Sequence, residues 1–329
     1  MPMTNQKPNL NLDTNPDVNP DVNPDVNPDA KQHFSIQCAL EQTALDLLAE
    51  KTGLAKQQLK QYAQQGAVWI QRQPNSKPER LRRLKKMILP GQVIEFYYYP
   101  DLLNETPATP ILIADFIEYS VWLKPRGMLS QGSKWADHTA LYRWVEQNYQ
   151  PENNGQKQIR QAWIVHRLDR ATQGLMLLAH TKKMAAKLSH LFETDQVHKS
   201  YQANVWGCYP ENTQTINIEI DGKHAVSHVL RLQYDKLQDC SRVQIDIETG
   251  RKHQIRRHLS ETGFPIIGDR LYGDETKDQQ LKSRPDLQLT AFKLHFKCPI
   301  TGEPRHFKLE ESQLDLLNLI YSPSINQAW

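Results

Sequence analysis

The chain has 329 residues, which is enough for one sizeable core and a small accessory domain. A formal net charge of +3 at pH 7 excludes a strongly acidic or strongly basic protein as a whole, and four scattered cysteines suggest neither a disulfide framework nor a zinc site. No run approaches the ~20 apolar residues of a membrane span, and the first residues lack a signal-peptide core, so we expect a cytoplasmic protein.

Residues 15–30 repeat Asn-Pro-Asp-Val three times and end with Asn-Pro-Asp-Ala. This segment has too few apolar side chains to offset the entropy lost on ordering, although Asn-Pro-Asp can form isolated turns. A calcium-binding repeat would need a defined ligand loop, and none is visible. The composition therefore predicts a disordered low-complexity tail over residues 1–32.

Residues 33–100 show the pattern of a small α/β module. Leucines and alanines between Leu40 and Leu48 recur at helical spacing, and Gly53 is a typical helix stop. The elements predicted after this helix are a second helix over 56–65, a strand over 67–70, a Pro90-Gly91 turn and a strand over 93–99. Their order resembles the alpha-L type RNA-binding domain.

The loop over residues 77–86 concentrates positive charge, with six basic residues against one acidic residue. A solvated charge run is the ordinary interpretation of such a loop. In an RNA-binding module it predicts instead a phosphate-binding surface that positions RNA without reading its sequence. The cations expected to bind RNA in this module are Lys56, Lys60, Arg80, Arg82, Arg83, Lys85 and Lys86.

Residues 101–112 contain two prolines and are predicted to be a linker, followed by a larger domain over residues 113–329. In that domain a helix is predicted over 182–195, and Val243–Ile247 alternates apolar and polar side chains like a half-exposed strand. Another helix is expected to begin near Arg251. The pattern indicates an α+β fold, with a largely antiparallel or mixed central sheet, flanking helices and a cleft.

The strongest chemical signal lies in residues 166–175. An Arg-Leu-Asp triplet ending at Asp169 lies between two apolar runs, which places a lone carboxylate on a tight loop between buried strands. An aspartate held by arginines stays ionised, and an ionised carboxylate in a cleft can attack a sugar anomeric carbon. For such a triplet alone, a structural salt bridge is the commoner explanation.

This segment resembles the His-Arg-Leu-Asp-x-x-Thr-Ser-Gly signature of the RluA-type pseudouridine synthases. Further stretches over roughly residues 115–310 resemble that family's motifs in the family's order: Val121–Leu129, Lys199–Ala203, Thr249–Arg256, Pro265–Asp269 and Tyr272-Gly273. Two positions depart from the pattern, since Gln173 replaces the usual serine and Cys298 a common histidine. Neither position is expected to take part in catalysis, so the departures bear on which RNA is the target rather than on whether the protein is active.

The resemblance implies an isomerase that converts uridine in RNA to pseudouridine without metal, redox cofactor or nucleotide. Asp169 would add to C1′ of the ribose or abstract the C2′ proton, and the residues do not decide between these routes. Arg256 would pair with Asp169 and keep it ionised. Tyr201 would stack on the uracil and assist transfer of the C5 proton.

The remaining roles implied by the resemblance are substrate contacts. Arg167 is expected to fill the gap left by a flipped-out uridine, and Ile255 to pack against the base or the tyrosine. The cations expected to line the cleft and meet phosphates are Lys124, Arg126, Arg251, Lys252 and Arg257. The histidines interpreted as structural hydrogen-bonding residues are His166, His253 and His258.

Other functions fit parts of the pattern. A catalytically inactive RNA chaperone or ribosome-assembly factor predicts a damaged nucleophile loop, yet all three catalytic candidates are present. A glycosidase needs a second carboxylate, for which Asp269 is the nearest candidate, and an aspartyl phosphatase needs metal-binding acids. We expect a monomer without membrane or obligate protein partners, acting on ribosomal RNA, with transfer RNA also compatible.

Overall fold

The computed structural model describes residues 31–153, 156–157, 160–281, 283–310 and 313. The Asn-Pro-Asp-Val repeats lie outside these residues. The chain divides into two compact units, the first comprising the described residues up to Asn104 together with Lys134–Ala136, and the second the remainder. Within the described ranges, no helix is long and apolar enough to cross a membrane.

The first unit combines a small antiparallel sheet with helices. Its elements in chain order are β1 Gln32–Gln37, β2 Gln42–Thr43, α1 Ala44–Thr52, α2 Lys56–Gln64, β3 Val68–Gln71, β4 Glu79–Arg80, β5 Met87–Ile88, β6 Val93–Tyr98 and α3 Pro100–Leu103. Four strands form the sheet in the order β1-β6-β3-β4, and β2 pairs with β5. The two helices and two strands predicted for this region are confirmed, with ends shifted by a few residues.

Helix α1 begins and ends where its sequence provides caps. The Thr43 hydroxyl accepts a hydrogen bond from the backbone N–H of Asp46 at 3.0 Å, and Gly53 ends the helix with a φ of 68°. Leu40, which belongs to the apolar pattern, is 74% exposed, because the helix starts only at Ala44.

The first residues of the predicted linker are helical. Pro100 opens α3, where a proline is tolerated because the first N–H of a helix has no intrahelical partner. Leu103 is fully buried, and its carbonyl accepts a hydrogen bond from Gln65 at 2.7 Å. The first unit therefore extends to Asn104.

The second unit is built on a ten-stranded sheet. Its elements in chain order are β7 Ile111–Asp115, β8 Tyr119–Lys124, α4 Leu141–Asn148, β9 Glu152–Asn153, β10 Gln156–Lys157, β11 Trp163–Ile164, β12 Gln173–Ala179, α5 Lys182–Glu193, β13 His198–Trp206, β14 Gln214–Asn217, β15 Val226–Asp235, β16 Cys240–Ile247, α6 Gln254–Glu261, α7 Glu275–Gln279, β17 Leu289–Lys297 and β18 Pro304–Lys308. The strand order is β14-β15-β16-β13-β17-β12-β8-β7, with β11 added to β12 and β18 to β17. Only β12 and β17, among the described strand pairs, run parallel, so the predicted α+β fold with a mixed sheet is confirmed.

Strand β12 is buried along its whole length because its two faces pack against different helices. Leu175 and Leu177 belong to the cluster that contains the apolar face of α5, whereas Met176 and Leu178 belong to the cluster with α4. Gly174 lies where β12 meets β17 and has a φ of 141°. A Cβ atom there would lie 2.4 Å from the Ala291 carbonyl oxygen, so only glycine permits this approach.

Candidate active site

Asp169 lies on the loop between β11 and β12, which hydrogen bonds hold in place. The Ser130 hydroxyl accepts from the Leu168 N–H at 3.0 Å and donates to the Leu168 carbonyl at 2.6 Å. The N–H of Thr172 donates to the Asp169 carbonyl at 3.1 Å and closes the turn. The side chain of Asp169 remains 30% exposed, so its carboxylate is both held and accessible.

Lys124 does not line the cleft, and the prediction that it meets phosphates is wrong. It is fully buried, and its Nζ donates to the carbonyls of Pro125 at 3.0 Å, Met128 at 2.8 Å and Arg170 at 3.4 Å. Burial lowers the pKa of Lys124 to about 7, against the opposing attraction of Asp169. The lysine fastens the turn after β8 to the Asp169 loop.

Arg256 approaches Asp169 from α6, with its Nη1 3.4 Å from Asp169 Oδ2. Its shorter contacts are with Asp269, at 2.7 Å from Nε and 2.6 Å from Nη2. Burial alone would lower the pKa of Arg256, but the hydrogen bonds and charges of both aspartates raise it. Asp269 is thus committed to Arg256 and, with 1% of its side chain exposed, is not a free second carboxylate for a glycosidase.

His253 makes a structural hydrogen bond, with its Nδ1 3.0 Å from the Tyr272 hydroxyl, but its Nε2 also lies 3.7 Å from Asp169. Burial lowers the pKa of His253, although the charge of Asp169 opposes the shift. Sequence reasoning missed this placement next to the carboxylate. Helix spacing does not explain it, because His253 lies just before α6, with a left-handed φ of 56°, and only Arg256 is part of the helix.

Tyr201 and Ile255 line a pocket of about 100 Å³ beside Asp169, with Leu168 and Leu289 as further apolar walls. Tyr201 lies on β13 where the pairing with β17 shifts register, and such irregularities re-aim side chains. Burial and the charge of Asp169 both raise the pKa of Tyr201, so its hydroxyl is protonated at neutral pH.

The residues around this pocket also border a wider cavity of about 580 Å³ on the side of α5. Arg167, Arg251 and Lys252 line this cavity, and each of the three is exposed. Lys199 also lines it, although its motif alone offered no reason to assign it a role. Burial lowers the pKa of Lys199, and the charge of Asp195 opposes that shift.

On the other side of Asp169 lies a cavity of about 600 Å³, which Arg126 lines. Arg126 donates from Nε to the Leu287 carbonyl at 2.8 Å and from Nη1 to Gln173 Oε1 at 3.2 Å. The glutamine that replaces the usual serine therefore touches a cation of the cleft.

Arg257 is not among the residues that line these three cavities, contrary to expectation. It pairs instead with Asp221 at 2.9 Å. The reason is helix geometry, because consecutive residues of α6 point in different directions and Arg256 is the one that faces Asp169.

Two other histidines are structural, as predicted. His166 Nε2 accepts the Leu177 N–H at 2.9 Å, and burial lowers the pKa of His166 to about 3. His258 is fully buried between the Ser227 hydroxyl and the Ile218 carbonyl, both at 2.9 Å.

The cations predicted to bind RNA in the first unit fall into two groups. Five are exposed at the surface: Lys56, Lys60, Arg83, Lys85 and Lys86. The other two are half-buried and have structural contacts. Arg80 stacks on Trp69 with its guanidinium carbon 4.3 Å from the ring centre, and Arg82 donates to the Gln64 carbonyl at 2.8 Å.

Comparison with known proteins supports one family. A family model described as RNA pseudouridylate synthase matches residues 118–261. The tRNA pseudouridine synthase C of Pasteurella multocida is 32% identical over 225 residues, which cover 60% of this chain and 90% of that protein. The ribosomal large subunit pseudouridine synthase D of Pseudomonas aeruginosa is 33% identical over 186 residues, which cover 49% of this chain and 58% of that protein.

The chain spans about half the length of several other curated relatives that it matches. A solved structure of human RNA Pseudouridylate Synthase Domain Containing 1 is similar with a TM-score of 0.52 and 21% identity, covering 66% of this chain and 90% of that chain. This likeness supports the fold alone. Because a 32% identical relative is matched over nine-tenths of its length, the chain belongs to the RluA-type family of RNA pseudouridine synthases.

Proposed function

We propose that the protein is an RNA pseudouridine synthase, an isomerase that converts specific uridines of structured RNA to pseudouridine. The observation that carries this proposal is the position of Asp169. Its accessible carboxylate lies beside Arg256 and lines a pocket of about 100 Å³ together with Tyr201 and Ile255. Membership of the family supports the same activity.

The reaction breaks the bond from N1 to C1′, turns the uracil and joins C5 to C1′, so no atom enters or leaves overall. Asp169 either adds to C1′ or removes the C2′ proton, and both routes need an ionised carboxylate that the ribose can reach. Arg256 donates a hydrogen bond to that carboxylate, and Lys124 holds the turn that carries it.

Tyr201 acts in its protonated form, because burial and the nearby carboxylate both raise its pKa. Its ring is a stacking surface for the uracil, and its hydroxyl oxygen can accept the C5 proton while it passes its own proton to solvent, with N1 of the product gaining a proton in exchange. Ile255 and the leucines of the pocket would give the turning base apolar walls.

Structured RNA is the proposed substrate, and ribosomal RNA the preferred class. The cavities on both sides of Asp169 are lined by cations suited to phosphates, including Arg126 and Arg251. Arg167 is exposed and lines the pocket, and it would fill the gap left by the flipped nucleotide. Relatives named for the ribosomal large subunit and for tRNA are compatible with either target.

We also propose that residues 33–100 form an RNA-binding domain of the alpha-L type that positions the substrate. The exposed cations of the first unit support this role. The protein would work in the cytoplasm as a monomer without an obligate protein partner.

A pseudouridine map by carbodiimide-stop sequencing tests the activity, comparing wild type with strains carrying Asp169→Asn or the control Glu303→Gln. Glu303 is an exposed carboxylate outside the three cavities. We expect at least one uridine in ribosomal or transfer RNA to lose its modification only in Asp169→Asn. If no uridine changes while the purified protein still binds RNA, an assembly factor replaces the enzyme as the conclusion.

A further inference from the structure

Asp269 lies directly behind Arg256 and is almost inaccessible to solvent, with 1% of its side chain exposed. Each of its oxygens accepts a hydrogen bond from Arg256, at 2.7 and 2.6 Å. Its Oδ1 also accepts the backbone N–H groups of Leu271 at 3.0 Å and Tyr272 at 3.1 Å. The carboxylate of Asp269 is therefore fixed before any substrate binds.

This contact decides which edge of the Arg256 guanidinium faces Asp169. Nε and Nη2 are occupied by Asp269, and Nη1 points to Asp169 Oδ2 at the longer distance of 3.4 Å. The Tyr272 ring lies against the guanidinium, with the ring centre 5.1 Å from Cζ. With 7% of its side chain exposed, Arg256 has little room to turn while Asp269 holds it.

Asp269 also reduces the net positive charge next to Asp169, because its own negative charge offsets that of Arg256. Burial alone would raise the pKa of Asp269, but the hydrogen bonds from Arg256 and the backbone outweigh burial and lower it. At neutral pH the arginine and Asp269 thus form a pair with no net charge. An unpaired arginine would instead hold Asp169 in a bidentate ion pair and occupy the oxygens that the ribose needs.

We propose that Asp269 is a positioning residue for the reaction, holding Arg256 so that one N–H reaches Asp169 and the carboxylate stays available to the sugar. This inference rests on the proposed pseudouridine synthase function. Asp269 acts through Arg256 and does not touch the substrate. Loss of its charge frees the bidentate edge of Arg256 to close on Asp169, so the chemical step slows while RNA binding persists.

The test compares Asp269→Asn with Asp278→Asn in the purified full chain. Asp278 is a matched control because it is also buried and accepts hydrogen bonds from Trp206 Nε1 and the Gly268 N–H, both at 3.0 Å. The probe is total RNA from cells that lack the gene, with pseudouridine counted by mass spectrometry under single-turnover conditions. For Asp269→Asn we expect the saturating rate to fall about 100-fold, as for other misplaced catalytic groups, with the half-saturating protein concentration unchanged. Asp278→Asn should keep the saturating rate of the wild type.

A second pair of variants separates positioning from a general structural effect. In an Arg256→Lys background, which removes the bidentate fork, Asp269→Asn should cause little further loss, because coupled residues are not additive. If Asp269→Asn does not fold, Asp269→Glu keeps the charge one methylene further out, and an intermediate rate is expected.

Two results would overturn the inference, and they are distinguishable. Suppose that wild type forms pseudouridine. The positioning role alone then fails if Asp269→Asn keeps the wild-type rate, or if it lowers the rate by the same factor with Arg256 present as with Arg256→Lys. If wild type forms no pseudouridine in the probe RNA, the proposed function fails and the positioning role fails with it.

Discussion

At the scale of single residues, the site is a set of ionisable groups whose charge states depend on one another. Asp169 has an arginine beside one oxygen and a histidine beside the other. Behind these two, Asp269 and Tyr272 bind the arginine and the histidine in turn. The surroundings of the Asp169 carboxylate are therefore set in part by Asp269 and Tyr272, through Arg256 and His253.

The first prediction concerns pH and His253. Burial lowers its pKa below the ordinary value of 6.5, so the ring is neutral at pH 7 and becomes charged only as the pH falls further. A charged His253 would pair with Asp169 and compete with the ribose. Arg256, Lys252 and Asp269 also influence this ring. We expect the single-turnover rate to fall by about tenfold per pH unit below the pKa of His253, the slope of one ionisation.

The measurement is a rate profile between pH 5 and pH 8 for wild type, His253→Gln and the control His190→Gln, an exposed residue of α5. The glutamine keeps a polar side chain without a titratable group, so the rate of His253→Gln should fall much less than that of wild type as the pH decreases. Identical profiles for wild type and His253→Gln would show that another group controls the decline.

The second prediction concerns Lys124. Replacing it with methionine leaves the carbonyls of Pro125, Met128 and Arg170 without their buried donor, at a cost of about 1–3 kcal/mol for each unsatisfied group, partly relieved by relaxation. The folded pKa of about 7 lies below the ordinary 10.5, so the unfolded chain binds the proton more tightly. The free energy of unfolding therefore rises as the pH increases from about 7 toward 10.5, where the folded lysine is neutral, and this gain is lost as the pH falls back toward 7.

Urea denaturation at pH 7 and pH 9 measures this effect. We expect the free energy of unfolding of wild type to rise between these pH values by more than that of Lys124→Met. A variant as stable as wild type at pH 7 would mean that the lysine is dispensable to the turn.

At the scale of secondary structure, the approach of β12 to β17 fixes where the Asp169 loop ends. The third prediction is that Gly174→Ala destabilises the second unit by at least about 3 kcal/mol, because its new Cβ meets backbone atoms of Ala291 that cannot move aside. Gly302→Ala is the control. That glycine also has a positive φ, of 72°, but a Cβ there meets nothing within 4 Å, so about 1–2 kcal/mol is expected. Thermal denaturation should show a larger loss of stability for Gly174→Ala than for Gly302→Ala, and equal losses would contradict the packing argument.

The elements predicted from the sequence are those that depend on neighbours along the chain. The apolar spacing of α5 and the alternation in β16 were sufficient to predict a helix and a strand, because each pattern follows the face that the element buries. The site was only partly predictable, because its geometry joins distant segments. Whether Lys124 faces RNA or buried carbonyls, and whether His253 reaches Asp169, depends on where the sheet places their strands and loops. Arg257 is an exception, since helix geometry alone could have separated it from Arg256.

At the scale of the whole molecule, each of the two units exposes cations at its surface. The fourth prediction is that changing Arg83, Lys85 and Lys86 together to glutamine weakens RNA binding without changing the rate at saturating RNA. These cations are exposed and lie far along the chain from the catalytic candidates. For every phosphate that the variant no longer neutralises, the slope of log affinity against log salt should become shallower by about 0.7–0.9.

Filter binding with the same total RNA at salt concentrations from about 50 to about 300 mM measures that slope, because electrostatic RNA binding weakens strongly over this range. The control is Lys293, Lys297 and Lys308 changed together to glutamine, three exposed cations on β17 and β18. Equal weakening by both triple variants would mean that overall charge, rather than the surface of the first unit, controls affinity.

The sheet order constrains when the candidate site can assemble during synthesis of the chain. Strand β17 lies between β13, which carries Tyr201, and β12, which follows Asp169. Because β17 begins only at Leu289, a nascent chain on the ribosome has both residues long before it has the strand that aligns them. Pairing of β12 with β17 joins segments that are distant along the chain, and such contacts are slow to form. A chain that ends before β17 therefore lacks the strand that lies between the segments of Asp169 and Tyr201.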